Sequence, residues 1–160
     1  MKVASKVVTV TGGGNGIGQQ VVLEALSRGA RVAAVDIRRE SLEETEGLAD
    51  AGDGLATFVV DITDRTATAA LPEQVVAVHG AVDGLINVAG IIQPFVKLNE
   101  LEYETIERVI NVDLYGTIHM VMLSSPICSS GRSPTSPTSP AWEAFFRCPA
   151  RPSTGQARRR

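Results

Sequence analysis

Thr11-Gly12-Gly13-Gly14-Asn15-Gly16-Ile17-Gly18 is the stretch of this chain whose residue types and spacing say most about chemistry. It follows the β-branched run Lys6-Val7-Val8-Thr9-Val10, and it opens a segment with Ile17, Val21, Val22, Ala25 and Leu26 at helical spacing. A loop set between a strand and a helix in this way can cradle phosphate. Gly12 allows the tight turn, Gly16 lets the backbone approach a pyrophosphate, and Gly18 lets the helix pack close to the strand. The first amides of the helix then face the phosphate charge. A purely structural turn would use the same glycines, so the strand–loop–helix context carries the reading.

Asp36 lies 18 residues beyond Gly18, at the end of Arg31-Val32-Ala33-Ala34-Val35-Asp36. A carboxylate there accepts hydrogen bonds from the ribose hydroxyls of adenosine and repels a 2′-phosphate, which favours NAD over NADP. The same carboxylate can simply cap the next turn. Arg38 and Arg39 follow closely and soften the exclusion of NADP. Two further groups fall at strand ends: Asp61-Ile62 and Asn87-Val88-Ala89-Gly90. Each suits a turn on its own. Ligands of open parallel sheets lie over the carboxyl ends of the strands, so the joint alignment of these groups is the informative point.

The elements that must place them follow from periodicity. Strands are expected at 6–11, 31–36, 55–61 and 82–88, and helices at 17–28, 40–51 and 66–79. Leu42 and Leu48 are the apolar residues of the second helix. Pro72 falls inside the third, so that helix either starts later or is kinked. A long, mostly helical segment covers 98–123. Strands separated by helices of this length form right-handed βαβ units around a parallel sheet, an α/β Rossmann-like, doubly wound arrangement.

Taken together, Thr-Gly-x-x-x-Gly-Ile-Gly at 11–18, Asp36, Val60-Asp61-Ile62-Thr63, Asn87–Gly90 and Asn111-Val112-Asp113-Leu114-Tyr115-Gly116 make residues 3–123 resemble the N-terminal half of a short-chain dehydrogenase/reductase. The resemblance implies a nicotinamide cofactor, a small alcohol or carbonyl substrate, and strand order 3-2-1-4. It implies that Asn15, Ile17, Asp36, Asp61, Ile62 and Asn87 contact the cofactor, with Gly12, Gly16, Gly18, Ala89 and Gly90 shaping the same site. It makes Asn111 the asparagine of the catalytic tetrad, positioning a water in the proton relay; the alternative, an Asn in a helix bend, is outweighed by the motif match. The family's chemistry also needs a serine and a Tyr-x-x-x-Lys pair for general acid–base catalysis. Tyr103 and Tyr115 are the only tyrosines and neither has lysine four residues on; Lys97 is the last lysine.

The chain changes character after Leu123. Residues 1–123 carry 9 Lys and Arg against 17 acids, whereas 124–160 carry 6 Arg and the single acid Glu143, with six of the eight prolines and both cysteines, Cys128 and Cys148. We expect a half-domain over 1–123 and a Ser/Pro/Arg-rich tail over 124–160, either disordered or out of frame. Codons that can encode these residues favour the second. Thr138-Ser139-Pro140-Ala141-Trp142 written ACG TCT CCA GCA TGG reads Val-Ser-Ser-Met from the third base. Phe146–Pro149 similarly hides Pro-Val-Pro, and Pro126–Arg132 hides His-Leu-Leu-Glu-Arg-Pro. Pro152–Arg158 hides Val-Tyr-Gly-Ala-Ser-Lys, with tyrosine and lysine four apart and a hidden serine 13 codons upstream. Only the first base of each shifted codon is free where the visible codon is degenerate.

The competing reading is a non-catalytic nucleotide-binding or regulatory module with a natural basic tail. Arg158-Arg159-Arg160 suits phosphate, but it is a small footprint for nucleic acid, which is not an expected partner. At 160 residues, 44% hydrophobic and 21% charged, the chain can form one packed domain. It holds no apolar run of 18 residues, so no membrane-spanning helix is expected, and two cysteines exclude a disulfide scaffold. No metal site is expected. The start lacks the apolar core of a secretory signal, and a cytoplasmic location follows as an expectation. In the family, the helix carrying Val109, Ile110, Val112, Leu114, Ile118 and Val121 packs at a subunit interface with a later helix. Without that partner, a family-type homo-oligomer is doubtful and stability should be marginal. Leu85-Ile86-Asn87-Val88 would then form an exposed apolar edge.

Overall fold

The β-branched runs form a four-stranded parallel sheet in the order β3-β2-β1-β4. The strands are β1 (Val7–Thr11), β2 (Arg31–Asp36), β3 (Leu55–Val59) and β4 (Gly84–Asn87). The computed structural model describes the backbone of residues 3–128 and the side chains of residues 3–122. The tail segments read above in a shifted frame from Thr138 onward lie outside the described residues. Helices α1 (Gly16–Ser27), α2 (Arg39–Ala49) and α3 (Arg65–His79) link the strands, and the chain continues through α4 (Tyr103–Val109), a π-helical segment (Ile110–Gly116) and α5 (Thr117–Cys128). Order and directions agree with the doubly wound half-sheet expected from the sequence.

Burial on both faces explains why the first two strands read as continuous apolar runs. Val8, Val10, Val32 and Ala34 pack with Val22 and Ala25 of α1 and Leu42 of α2. Val7, Ala33 and Val35 pack on the other face with Leu71 and Val75 of α3 and Met120 of α5. The strand period of two thus assigns neighbouring residues to opposite cores.

Several local expectations change. Strand three stops at Val59 rather than Asp61, since Val60 and the residues after it turn onto the rim. Strand four starts at Gly84 because Val82 and Asp83 form its lead-in. The third helix runs through Pro72 and does not start later. Asp64 caps it, its carboxylate accepting from the Thr66 and Ala67 amides at 2.8 and 3.1 Å. Ile17 and Leu48 belong to no core and lie 75% and 57% exposed. On α2 the second inward residue is instead Thr45, three positions after Leu42 and fully buried. The segment from 98 is interrupted: a 3₁₀ turn at Leu98–Glu100 precedes α4, and the π-helical segment separates α4 from α5.

Both edge strands, β3 and β4, are only partly covered. The four residues of β4 are all half-buried, and no strand lies beyond it among the described residues. Leu114, Ile118 and Val121 on the adjoining helical segment are 53%, 38% and 45% exposed.

Candidate functional site

The register brings the strand ends to one level. Thr11 is opposite Val35 on one side and Asn87 on the other, and Asp36 is opposite Val59. The glycine loop crosses this rim between β1 and α1. Gly12 and Gly16 have φ of +69° and +53°, a region that costs other residues free energy. A Cβ on Gly12 would also lie 2.8 Å from the Ala89 main chain, so the loop rests directly on the turn after β4. A Cβ on Gly18 would overlap the Gly12 carbonyl oxygen, which is the close helix–strand approach expected of that glycine. Gly16 faces open space, and Asn15, Gly16 and Ile17 are exposed. Asn15 occupies the N-cap of α1 in an extended conformation, but its side chain makes no capping hydrogen bond. The amides that begin α1 are therefore left without a side-chain cap.

Two carboxylates flank this donor cluster. Asp36 accepts from the Gly14 amide at 3.1 Å through one oxygen and from the Arg38 amide at 3.0 Å through the other. It thus both caps the following turn and ties β2 to the glycine loop. A carboxylate has about four acceptor positions, so capacity for two hydroxyls remains. Arg38 and Arg39 are exposed. Asp61 is also exposed and accepts from the Thr63 amide and hydroxyl at 2.8 and 2.7 Å. Ile62, by contrast, buries its side chain in the core, which leaves its main chain as the part that can meet a ligand. Its carbonyl lies 3.1 Å from His119 Nδ1, and Arg65 Nε donates to His119 Nε2 at 3.2 Å.

Beyond β4, the fully buried Thr11 does work that its place in the glycine motif does not advertise. Its hydroxyl accepts from the Val88 and Ala89 amides at 3.1 and 3.2 Å and donates to Asn87 Oδ1 at 3.4 Å. Asp113 performs the matching task from the π-helical segment, accepting from the Ile91 amide at 2.9 Å. Gly116, in the same segment, passes so close to Ile62 that a Cβ would come within 2.6 Å of that side chain. Asn111 is exposed within this segment, so the helix does depart from regular geometry around it. In the sequence Thr11 and Asp113 stand out only as letters of the motifs around them. No spacing rule marks Thr45 and Gln19, which touch the glycine loop.

Donors and acceptors are therefore segregated along the rim. Uncapped amides at the start of α1 suit an anion, and the carboxylates of Asp36 and Asp61 suit hydroxyl and amino donors. The open space at Gly16 leaves room for the anion to approach. This donor set is chemically compatible with an adenine dinucleotide. No group of three or more metal-ligating side chains occurs among the described residues. No described helix is long and apolar enough to cross a membrane.

A nucleotide-binding half of an open α/β sheet is the class that this geometry defines. The sequence pattern of the short chain dehydrogenase family matches residues 6–133, and the chain belongs to that family. It is 35% identical over 130 residues to a 3-oxoacyl-[acyl-carrier-protein] reductase of Thermotoga maritima, covering 79% of this chain and 51% of the relative. It is 35% identical over 113 residues to cis-4-hydroxycyclohexanecarboxylate dehydrogenase of Sinomonas cyclohexanicum, covering 71% and 45%. Among solved structures, an NAD+-bound xylitol dehydrogenase superposes with a TM-score of 0.75 at 29% identity, over 79% of this chain and 49% of that one. A 3-ketoacyl-(acyl-carrier-protein) reductase from Brucella melitensis complexed with NADH gives 0.74 at 28%, over 78% and 51%. The chain spans about half the length of the relatives it matches.

Proposed function

We propose that residues 1–123 form the NAD-binding half-domain of a short-chain oxidoreductase. The observation that carries this reading is the pairing of uncapped α1 amides, at an exposed turn, with the Asp36 carboxylate, which already touches the loop at Gly14. Gly12, Asn15, Gly16, Ile17 and Gly18 would hold the pyrophosphate, and Asp36 the adenosine ribose. Asp61 and the Ile62 main chain would border the adenine, and Asn87, Ala89 and Gly90 would line the path toward the nicotinamide. Bound nicotinamide would supply hydride transfer to or from an alcohol or carbonyl carbon. Asn111 would position a water of the proton relay. The NAD-bound and NADH-bound states of the two structural neighbours support a nicotinamide dinucleotide as ligand.

The reaction also needs a proton donor, and Tyr-x-x-x-Lys is absent from these 160 residues. We read the segment from about Ser124 as translation in a shifted frame, with the missing serine, tyrosine and lysine encoded one frame away. On that reading the 160-residue chain is a cytoplasmic protein that binds the cofactor without turnover. Genomic sequence across these codons tests the frame: Tyr-x-x-x-Lys codons must appear in it.

Calorimetric titration tests binding. NAD and ADP-ribose should bind alike, since the adenosine diphosphate half makes the contacts. NADP should bind at least about tenfold more weakly, because its 2′-phosphate meets the Asp36 charge. Asp36→Asn should narrow that gap. A folded chain, verified by circular dichroism, that binds no adenine dinucleotide overturns the reading.

A further inference from the structure

The inner part of the glycine loop is held from several sides, and apart from Asp36 the groups that hold it are ones the nucleotide itself would not touch. The Gly13 amide donates to the Val35 carbonyl at 3.0 Å and the Gly14 amide to Asp36 at 3.1 Å. Opposite them, Thr45 Oγ1 lies 3.1 Å from the Gly13 carbonyl oxygen and 3.2 Å from that of Gly14. Gln19 Nε2 donates to Thr45 Oγ1 at 3.1 Å and to the Gly14 carbonyl at 3.3 Å. Every main-chain polar atom of Gly13 and Gly14 thus has a partner, drawn from β2, α1 and α2.

Thr45 is an odd residue to find fully buried on α2, whose sequence RESLEETEGLA is largely charged. A threonine within a helix ordinarily returns its proton to the carbonyl four residues back, here Ser41 at 3.0 Å. A hydroxyl has one proton and two acceptor positions. Gln19 fills an acceptor position and already serves Gly14, so donation to Gly13 completes the network around both glycines. The next residues, Asn15, Gly16 and Ile17, are exposed, and they are the ones whose amides open α1.

We propose that Thr45, together with Gln19, is a positioning residue for the phosphate-binding loop. Anchoring Gly13 and Gly14 to α2 presents the following amides to a pyrophosphate without rearrangement, which lowers the ordering cost of binding. This inference rests on the dinucleotide reading above. It adds a role for α2, an element that need not touch the phosphates.

The test compares Thr45→Val, which keeps shape and loses the hydroxyl, with Thr45→Ser, which keeps the hydroxyl, in the full 160-residue chain. ADP is titrated by calorimetry and adenosine by ligand-observed NMR. Thr45→Val should weaken ADP about three- to tenfold while leaving adenosine unchanged, and Thr45→Ser should restore ADP. Without ligand, amide hydrogen exchange at Gly13–Asn15 should be faster in Thr45→Val. Gln19→Ala, at a half-buried position, should show the same selective loss if Thr45→Val fails to fold. Equal weakening of ADP and adenosine, or unchanged ADP affinity, overturns the positioning role while leaving the dinucleotide reading standing. A wild-type chain that binds neither compound overturns both.

Discussion

The two ends of the sheet use similar groups for different work. At the amino end, Asp83 accepts from the Val7 amide and from Lys6 Nζ, each at 2.9 Å, and its own amide donates to the Val7 carbonyl at 2.8 Å. One acid there fastens β4 to β1 and is neutralised by a cation. At the carboxyl end, Asp36 and Asp61 accept mainly from loop amides, and neither forms an ion pair within the described residues. Glycines replace side chains where the loop meets its neighbours. The amino end is built to close, and the carboxyl end keeps charge and main-chain donors available to a visitor.

Two glycines give the largest expected contrast. Gly18→Ala puts a Cβ onto the Gly12 carbonyl oxygen, and neither main-chain group has a flexible end that can move aside. We expect a loss of about 3 kcal/mol or more in urea unfolding, or no folded protein. Gly29, near the amino end, has φ +79°, but its nearest neighbour would be Ala4 at 3.7 Å. Gly29→Ala should therefore cost only the left-handed backbone penalty, roughly 1–2 kcal/mol. Equal losses for the two would remove the steric distinction between the ends.

The contrast was partly visible in the sequence. Strands β1 and β2 are legible because burial on both faces demands unbroken Val and Ala, and the glycine spacing announces the rim. Asp36 could be placed because it terminates such a run. Thr45, Gln19 and Asp113 could not, since their partners lie 32, 5 and 22 residues away and are main-chain atoms without a sequence signature. Ile17 and Leu48 show the opposite failure: apolar letters at plausible spacing that face solvent. The π-helical segment also escaped, because helical periodicity alone does not reveal one extra residue per turn.

Thr11→Val should have the next largest effect. The substitution is nearly isosteric, yet it removes the acceptor for the Val88 and Ala89 amides at a fully buried position. Stranding those donors should cost about 1–3 kcal/mol in urea unfolding. It should also loosen the turn on which Gly12 rests, speeding amide exchange at Val88 and Ala89. Wild-type stability in this variant would mean that the turn holds itself.

Asp83 gives the smallest effect and the clearest pH signature. Its burial opposes ionisation, but the hydrogen bonds from the Val7 amide and Lys6, with the charges of Lys6 and Arg31, outweigh it and hold the carboxyl below its usual range. A pKa lower in the folded state than in the unfolded chain means that the ionised form favours folding. That contribution is complete above the unfolded value of about 3.9 and is lost as pH falls through the lower folded value. Asp83→Asn keeps an acceptor for the Val7 amide and removes the charge, so at pH 7 it should cost at most about 1 kcal/mol, given the exposure of Lys6. The stability gap between wild type and variant, followed by urea unfolding from pH 7 downward, should stay level to about pH 4 and then close. A gap that widens in acid would show that Asp83 is not ionised in its strand-fastening role, and the division of labour between the two ends would fail.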